Sequence, residues 1–178
     1  MRLRIKSTTL TLQIIGWLQI IGGVTGLGLV AYLMLQTGTI NGAILLIFLI
    51  GLELFSYSIY SGKRLLTDEE KETGIILSII NQVMQLFQWS ILGYGLSYSS
   101  GAEITLGVQG LTFKFNFAAI VSTFKMAINS DDGFFMKINL VALLIIFALA
   151  DILKELKTKN EDPEIEGQQI QTEELRVE

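Results

Sequence analysis

Four long apolar runs constrain the fold of this chain more than any other feature of its sequence. They cover residues 10–35, 42–61, 74–96 and 134–153. Each run is close to the ~20 residues that an α-helix needs to cross the hydrocarbon core of a bilayer. A soluble domain with a single core does not need four such runs, and a mean hydropathy of +0.53 with 51% apolar residues also favours a membrane protein.

The distribution of Lys and Arg predicts how the four spans are oriented. Three basic residues precede the first span, three lie in the loop 62–73 and three, Lys154, Lys157 and Lys159, follow closely after the fourth span, whereas the loop 36–41 has none. Because short cytoplasmic loops are enriched in basic residues, both termini and the loop 62–73 are predicted to be cytoplasmic. The predicted fold is therefore an all-α integral membrane protein with a bundle of four transmembrane helices. Its small size and short loops indicate a multi-pass protein of the bacterial inner membrane.

Two segments lie outside the predicted spans. The external loop 97–133 alternates apolar and polar residues around Gln109 and Gly110, which predicts a β-hairpin, and its residues 118–128 have the spacing of a short interfacial helix. The last segment has seven acidic residues and one Arg between positions 161 and 178. We therefore predict a membrane domain of residues 1–157 followed by a disordered acidic cytoplasmic tail of residues 158–178.

Glu53 is the most informative polar residue of the spans. It lies eight residues from the cytoplasmic end of the second run, which corresponds to a depth of ~12 Å in an α-helix. An ionised carboxylate there costs about 2.5 to 3.5 kcal/mol on insertion scales, so we expect it to face the protein interior. Gln19, Gln82 and Gln85 lie at similar depths. The sequence predicts a buried polar cluster of Gln19, Glu53, Gln82 and Gln85.

This predicted cluster has two interpretations. It could bind a proton, a cation or a polar group of a ligand, because a carboxylate inside a membrane needs a partner. Alternatively, its members could form interhelical hydrogen bonds that determine which helices pair. Four glycines on one face of the first span, Gly16, Gly22, Gly23 and Gly26, are predicted to let a neighbouring backbone approach closely.

The composition excludes several classes of activity. The chain has no Cys and no His, so thiol catalysis, histidine-ligated metals and Ser-His hydrolysis are excluded. We predict no metal site and no cofactor, and no spacing of carboxylates, hydroxyls and lysines suggests an enzyme. The net charge of −4 argues against nucleic acid as a partner.

The predicted function is that of a non-enzymatic membrane protein. It would act as an accessory, assembly or sensor subunit in the lipid bilayer, through contacts with another membrane protein or with further copies of itself. The alternative is a small oligomeric proton or cation channel or transporter that uses Glu53 and the Gln-rich face of the third span.

Overall fold

The computed structural model describes residues 7–67, 71–128 and 133–177, and for residues 119–121 and 159–177 it describes the backbone alone. Within these residues the elements are four helices and four strands. In chain order they are α1 (Thr8–Gln36), α2 (Gly42–Leu66), α3 (Lys71–Leu86), β1 (Phe87–Ile91), β2 (Tyr94–Gln109), β3 (Thr112–Ala127), β4 (Phe135–Asn139) and α4 (Leu140–Val177).

Helices α1 and α2 are long and apolar enough to cross a membrane, and within the described residues no other helix meets that test of length and composition. Polar side chains cap both helices at their first turn. The Ser7 hydroxyl accepts a hydrogen bond from the Leu10 N–H at 3.3 Å, and Asn41 Oδ1 accepts one from the Ile44 N–H at 2.9 Å. These caps satisfy backbone donors that a helix leaves unpaired at its N-terminus.

The strands form one antiparallel sheet in which three strands close a ring. Strand β1 pairs with β4 and β2, and β4 also pairs with β2, while β3 pairs with β2 along its length. Trp89 lies opposite both Leu96 and Met136, and Met136 lies opposite Val108. Leu96 and Val108 are therefore at most about 14 Å apart across three ladder steps, although the twelve residue steps from one to the other would extend about 40 Å in a straight strand.

Strand β2 must therefore bend sharply, and it does so at Gly101. The register with β3 shifts between Gly101 and Ala102, and Gly101 has a φ of 107°. A left-handed φ of this kind strains residues with a Cβ, and a bulge of one residue increases the local bend and twist. Gly101 thus permits the closed ring.

The all-α four-helix bundle predicted from the sequence is wrong. The third apolar run, 74–96, is helical only as far as Leu86 and continues as β1, and the fourth run, 134–153, includes β4 before α4 begins. Hydropathy and length do not distinguish a buried strand from a helical segment. The residues of β1 include Phe, Trp and Ile, which favour strands, and their burial alternates.

The predicted interfacial helix at 118–128 is also wrong. Residues 118–127 belong to β3 and pair with the first half of β2. A hairpin does lie at the predicted place, with its turn at Gly110 and Leu111, but its two strands have 16 residues each. Helix α4 extends through the segment predicted as a tail. The division into a membrane domain and a disordered tail stays a prediction.

Apolar side chains form two separate clusters inside the molecule. The first, which we call the apolar cluster, joins the beginnings of α1 and α3 to the end of α2 and the first third of α4. Its members are Leu12, Ile15, Leu65, Ile75, Leu149 and Ile152. The second contains Val30, Phe48, Phe55 and Tyr98, where the Phe55 and Tyr98 rings meet edge to face at 5.3 Å. Polar side chains occupy the space between the two clusters.

Candidate functional site: a buried polar network

The candidate site is a set of polar side chains at the place where α1, α2, α3 and β2 meet. We call it the polar network, and its members are Gln19, Ser58, Ser61, Asn81, Gln85, Tyr98 and Ser100. Each of these side chains is buried, and Gln19, Ser58, Ser61 and Asn81 have no solvent exposure at all. Burying so many polar groups is unfavourable unless they form hydrogen bonds with one another.

Gln19 of α1 is the centre of the network. Its Oε1 accepts hydrogen bonds from Ser61 Oγ at 2.6 Å and from Asn81 Nδ2 at 3.0 Å. The Gln19 backbone carbonyl accepts a third bond, from Ser58 Oγ at 3.0 Å. A single residue of α1 thus binds both α2 and α3, which determines how the three helices are rotated against one another.

Strand β2 joins the network between the helices. Ser100 Oγ lies 2.9 Å from Ser58 Oγ, and the Ser100 backbone N–H donates to Gln85 Oε1 at 2.8 Å. The Tyr98 hydroxyl donates to the Leu54 carbonyl at 2.9 Å, and Asn81 Oδ1 lies 3.3 Å from the same hydroxyl. The sheet is therefore inserted among the helices at the level of Gln19 and is not a cap outside them.

The four predicted packing glycines all lie against other elements. A Cβ added to Gly22 would meet the backbone of Ser100 and Gly101, and one added to Gly26 would meet the Phe55 ring. At Gly23 an added Cβ would lie 2.7 Å from the Phe55 carbonyl oxygen, and at Gly16 it would lie 2.8 Å from the Leu66 side chain. Close approach of α1 to α2 and β2 therefore depends on this glycine face.

The structure separates Glu53 from the glutamines with which it was grouped. Gln19 and Gln85 belong to the polar network, and Gln82 is also buried. Glu53 is exposed on the outward side of α2 and has no hydrogen bond or ion pair with the described residues. The face of α2 that contacts α1 carries small and aromatic residues instead, namely Gly51, Phe55, Ser58 and Gly62.

Glu53 borders a shallow groove between α2 and α3. The groove has a volume of about 390 Å³ and is lined by Glu53, Leu54, Tyr57, Ile80 and Met84. The Tyr57 hydroxyl donates to the Leu77 carbonyl at 3.2 Å, so that its ring bridges the two helices. The groove is apolar apart from the carboxylate and the Tyr57 hydroxyl, and it opens to the outside of the molecule.

A buried carboxylate that the sequence analysis did not single out is Glu103 of β2, which is 5% exposed. Its Oε2 accepts a hydrogen bond from Gln88 Nε2 at 3.0 Å, and its Oε1 accepts one from Asn116 Nδ2 at 3.4 Å. The two donors come from β1 and β3. Side chains alternate between the two faces of β2, so Glu103 and Ile104 lie on opposite faces. The alternation alone does not show which of the two faces is buried.

These groups limit the chemistry available in the interior. The polar network consists of neutral amides and hydroxyls, which suit hydrogen bonding better than proton transfer. Two of its donors, Gln19 Nε2 and Gln85 Nε2, are buried without a hydrogen-bond partner among the described residues. In the same part of the chain no group of three or more Asp, Glu, His or Cys residues could hold a metal ion.

Comparisons with known proteins add no assignment. No protein-family model matches the chain, and no curated protein and no solved structure is significantly similar to it. A function is therefore inferred from the polar network, the outward face of α2 and the surface of the sheet.

Proposed function

We propose that this chain is a multi-pass protein of the bacterial inner membrane and acts as a non-enzymatic subunit that binds another membrane protein. The distribution of its side chains supports the membrane location. Polar groups fill the centre, while large apolar side chains of α1 and α2 face outward. Exposed examples are Trp17, Val24, Leu46 and Leu49. In water such a surface promotes aggregation, whereas lipid acyl chains cover it without cost.

The arrangement of the helix ends supports the proposed orientation. The apolar cluster brings together the beginning of α1, the end of α2, the beginning of α3 and the part of α4 around Ile152. The same end of the molecule carries Lys63 and Arg64 in the last turn of α2, and the ion pair between Lys157 and Glu72, 3.4 Å apart. By the positive-inside rule this end is cytoplasmic.

The observation that carries the binding proposal is the exposure of Glu53 near the middle of α2. Its outward neighbours are Leu49, Ser56 and Tyr60, on the same helix face. A carboxylate facing hydrocarbon at this depth costs about 2.5 to 3.5 kcal/mol. A partner helix that lies in the groove beside Glu53 would remove that cost if it carried Lys or Arg at the same depth.

A partner of different sequence fits this face better than a second copy. On α2 the nearest basic residue is Lys63, ten residues from Glu53 or about 15 Å along the helix. A second copy would therefore bring another carboxylate to the same depth. We do not propose the channel alternative, because it needs Glu53 and the glutamines on one path, and Glu53 is exposed whereas Gln82 and Gln85 are buried.

Site-specific crosslinking in the native membrane tests this proposal. A photo-crosslinking amino acid at Ser56, beside Glu53, should react with an apolar helix of another protein that contains Lys or Arg. Glu53→Gln should abolish that product, and Glu53→Asp should retain much of it. The control is the same crosslinker at Val24, which faces outward on α1.

Two results would contradict the proposal. The first is a crosslink at position 56 that survives Glu53→Gln unchanged. The second is a loss of stability of the purified Glu53→Gln protein in detergent, because that would reveal an intramolecular role for a carboxylate that has no partner among the described residues.

A further inference from the structure

Helix α3 is too short to cross a bilayer alone. Its 16 residues, Lys71–Leu86, extend about 24 Å, while the hydrocarbon core is ~30 Å thick. Strand β1 follows without a loop and adds five residues, or about 16 Å. Where the chain returns, β4 ends at Asn139 and α4 begins at the next residue, again without a loop. Together α3 and β1 are long enough to cross, and β4 with α4 runs beside them.

The outward apolar stripe of α3 continues onto β1. Ile76, Ile80 and Val83 are exposed on α3 at helical spacing, and the next outward residues are Phe87 and Trp89 on β1. Successive outward residues are three or four positions apart on α3 and two positions apart on β1, as expected for a helix and a strand. The change in secondary structure therefore leaves the apolar surface continuous.

The same surface extends across β1 and β4 onto residues 104–108 of β2 and 113–117 of β3. Phe87 lies opposite Ile138, which lies opposite Leu106, and Leu106 lies opposite Phe115. Directly opposed residues of antiparallel strands share a face. The exposed members of this face, which we call the apolar sheet face, are Phe87, Trp89, Val108, Phe113, Phe115, Phe117, Met136 and Ile138.

The opposite face of the sheet is polar. Gln88 lies opposite Lys137, and Thr105 lies opposite Asn116 and Asn139. Gln88, Thr105 and Asn139 are buried, as is Glu103 between its two amide donors. The sheet thus has a polar inner face and an apolar outer face, which is the arrangement expected where the solvent is lipid.

The backbone pairing of β1 and β4 also suits contact with lipid. In hydrocarbon each unpaired N–H or C=O group costs several kcal/mol, so open sheet edges do not occur there. Strand β1 has β4 on one side and β2 on the other, and β4 lies between β1 and β2. Neither strand is an edge strand. On the outer side of the hairpin, β3 lies near α1, where Ser122 Oγ donates to the Gly22 carbonyl at 2.6 Å.

We propose that the third and fourth membrane crossings are composites of a helix and a strand, α3 with β1 and β4 with α4, and that the part of the apolar sheet face that lies on β1 and β4 contacts lipid acyl chains. The proposal depends on the membrane location stated under Proposed function. Its distinctive claim is that hydrocarbon, and not water or another protein, covers Phe87, Trp89, Met136 and Ile138.

The two tryptophans of the chain make this claim testable, because one lies on each kind of surface. Trp17 is exposed on α1 and Trp89 on β1. The full chain with Trp17→Phe retains only the fluorescence of Trp89, and the full chain with Trp89→Phe retains only the fluorescence of Trp17. Both are reconstituted in phosphatidylcholine vesicles with or without bromine on the acyl chains. We expect brominated lipid to quench Trp89 as strongly as Trp17, with blue-shifted emission and little quenching by acrylamide.

The outcomes separate the two proposals. If brominated lipid quenches Trp17 but Trp89 responds only to acrylamide, the composite crossings are wrong and the membrane location stands. If acrylamide alone quenches both residues, the membrane location itself is wrong. Quenching of both by brominated lipid supports both proposals.

A second pair of variants tests which face of the sheet meets lipid. In a chain with Trp17→Phe and Trp89→Phe, Met136→Trp places a reporter on the apolar sheet face, opposite position 89. Lys114→Trp is the matched control, because Lys114 is exposed on the other face of β3 from Phe113 and Phe115. Brominated lipid should quench the Met136→Trp reporter much more strongly than the Lys114→Trp reporter. Equal quenching would overturn the assignment of the face.

Discussion

The apolar cluster and the polar network involve the same three helices, α1, α2 and α3, but they hold them together by different means. Leu12 in the apolar cluster and Gln19 in the polar network are seven residues apart on α1, or about 10 Å. Around Leu12 the contacts are between apolar side chains, whereas around Gln19 they are hydrogen bonds and contacts at glycine. In lipid, burial of apolar groups contributes little, because the acyl chains are equally apolar.

This difference suggests a division of roles. Hydrogen bonds and close backbone contacts depend on direction and distance, so the polar network and its glycines determine which elements pair and at what angle. The apolar cluster fills the remaining space, and its contacts tolerate adjustment. Three substitutions test this comparison, and they are given in order of decreasing loss of stability.

Gly22→Ala should have the largest effect. Its new Cβ would overlap the backbone of Ser100 and Gly101, and backbone atoms of a bent strand cannot move aside easily. We expect a loss of about 3 kcal/mol in the free energy of unfolding, at the upper end of overpacking effects. The measurement is reversible unfolding in mixed micelles with increasing dodecyl sulfate.

The matched control for this substitution is Gly28→Ala. Gly28 lies on the same helix and an added Cβ there meets no atom within 4 Å. Its replacement should leave stability unchanged or raise it slightly through helix propensity. If both variants lost the same stability, close packing of α1 against β2 would not be what holds the sheet in place.

Asn81→Leu should have an intermediate effect. Asn81 Nδ2 donates to Gln19 Oε1 and to Ser58 Oγ at 3.2 Å, and leucine can replace neither bond. We expect a loss of about 2 kcal/mol in the free energy of unfolding, because the buried acceptors would be left with fewer hydrogen-bond donors. Gln82→Leu is the control, because Gln82 is a buried neighbour without a hydrogen bond to the described residues. If Asn81→Leu and Gln82→Leu unfolded at the same concentration of denaturant, the hydrogen bonds of the polar network would contribute no special stability.

Ile75→Val in the apolar cluster should have the smallest effect. Ile75 is fully buried, and loss of one methylene group costs about 1 kcal/mol at such positions in water. In micelles we expect no more than that, because the unfolded reference state is also in an apolar environment. Ile76→Val, on the exposed side of α3, should be neutral. If Ile75→Val cost more than Asn81→Leu, apolar packing would be the main determinant of the arrangement.

The sequence predicted the positions of the apolar runs better than their conformation. The run 74–96 does begin as a helix and the run 134–153 does end as one, but each also contains a strand. Phe87 and Ile138 are 51 residues apart and pair across β1 and β4, so nothing local to either run signals the pairing. Hydropathy measures only the tendency to leave water, which a helix and a paired strand share.

The prediction for Glu53 illustrates a different limit. The cost of a carboxylate in hydrocarbon predicts that it has a partner, but does not say whether the partner belongs to the same chain. The rotation of α2 is determined by close contacts at its other face, where the Gly62 position lies against the Gly16 carbonyl. Those contacts turn Glu53 outward. Gln19 lies in the interior, on the face of α1 that carries the glycines.

Local features of this protein follow from its amino-acid sequence: the length and hydropathy of α1 and α2, the hairpin turn at Gly110 and the glycine face of α1. These depend on residues a few positions apart, whose spacing can be read along the chain. Three other features are visible only in the folded chain: β1, β2 and β4 close a ring, Glu103 is buried within the sheet and Glu53 faces outward. Each of these depends on contacts between distant segments, whose geometry no local pattern specifies.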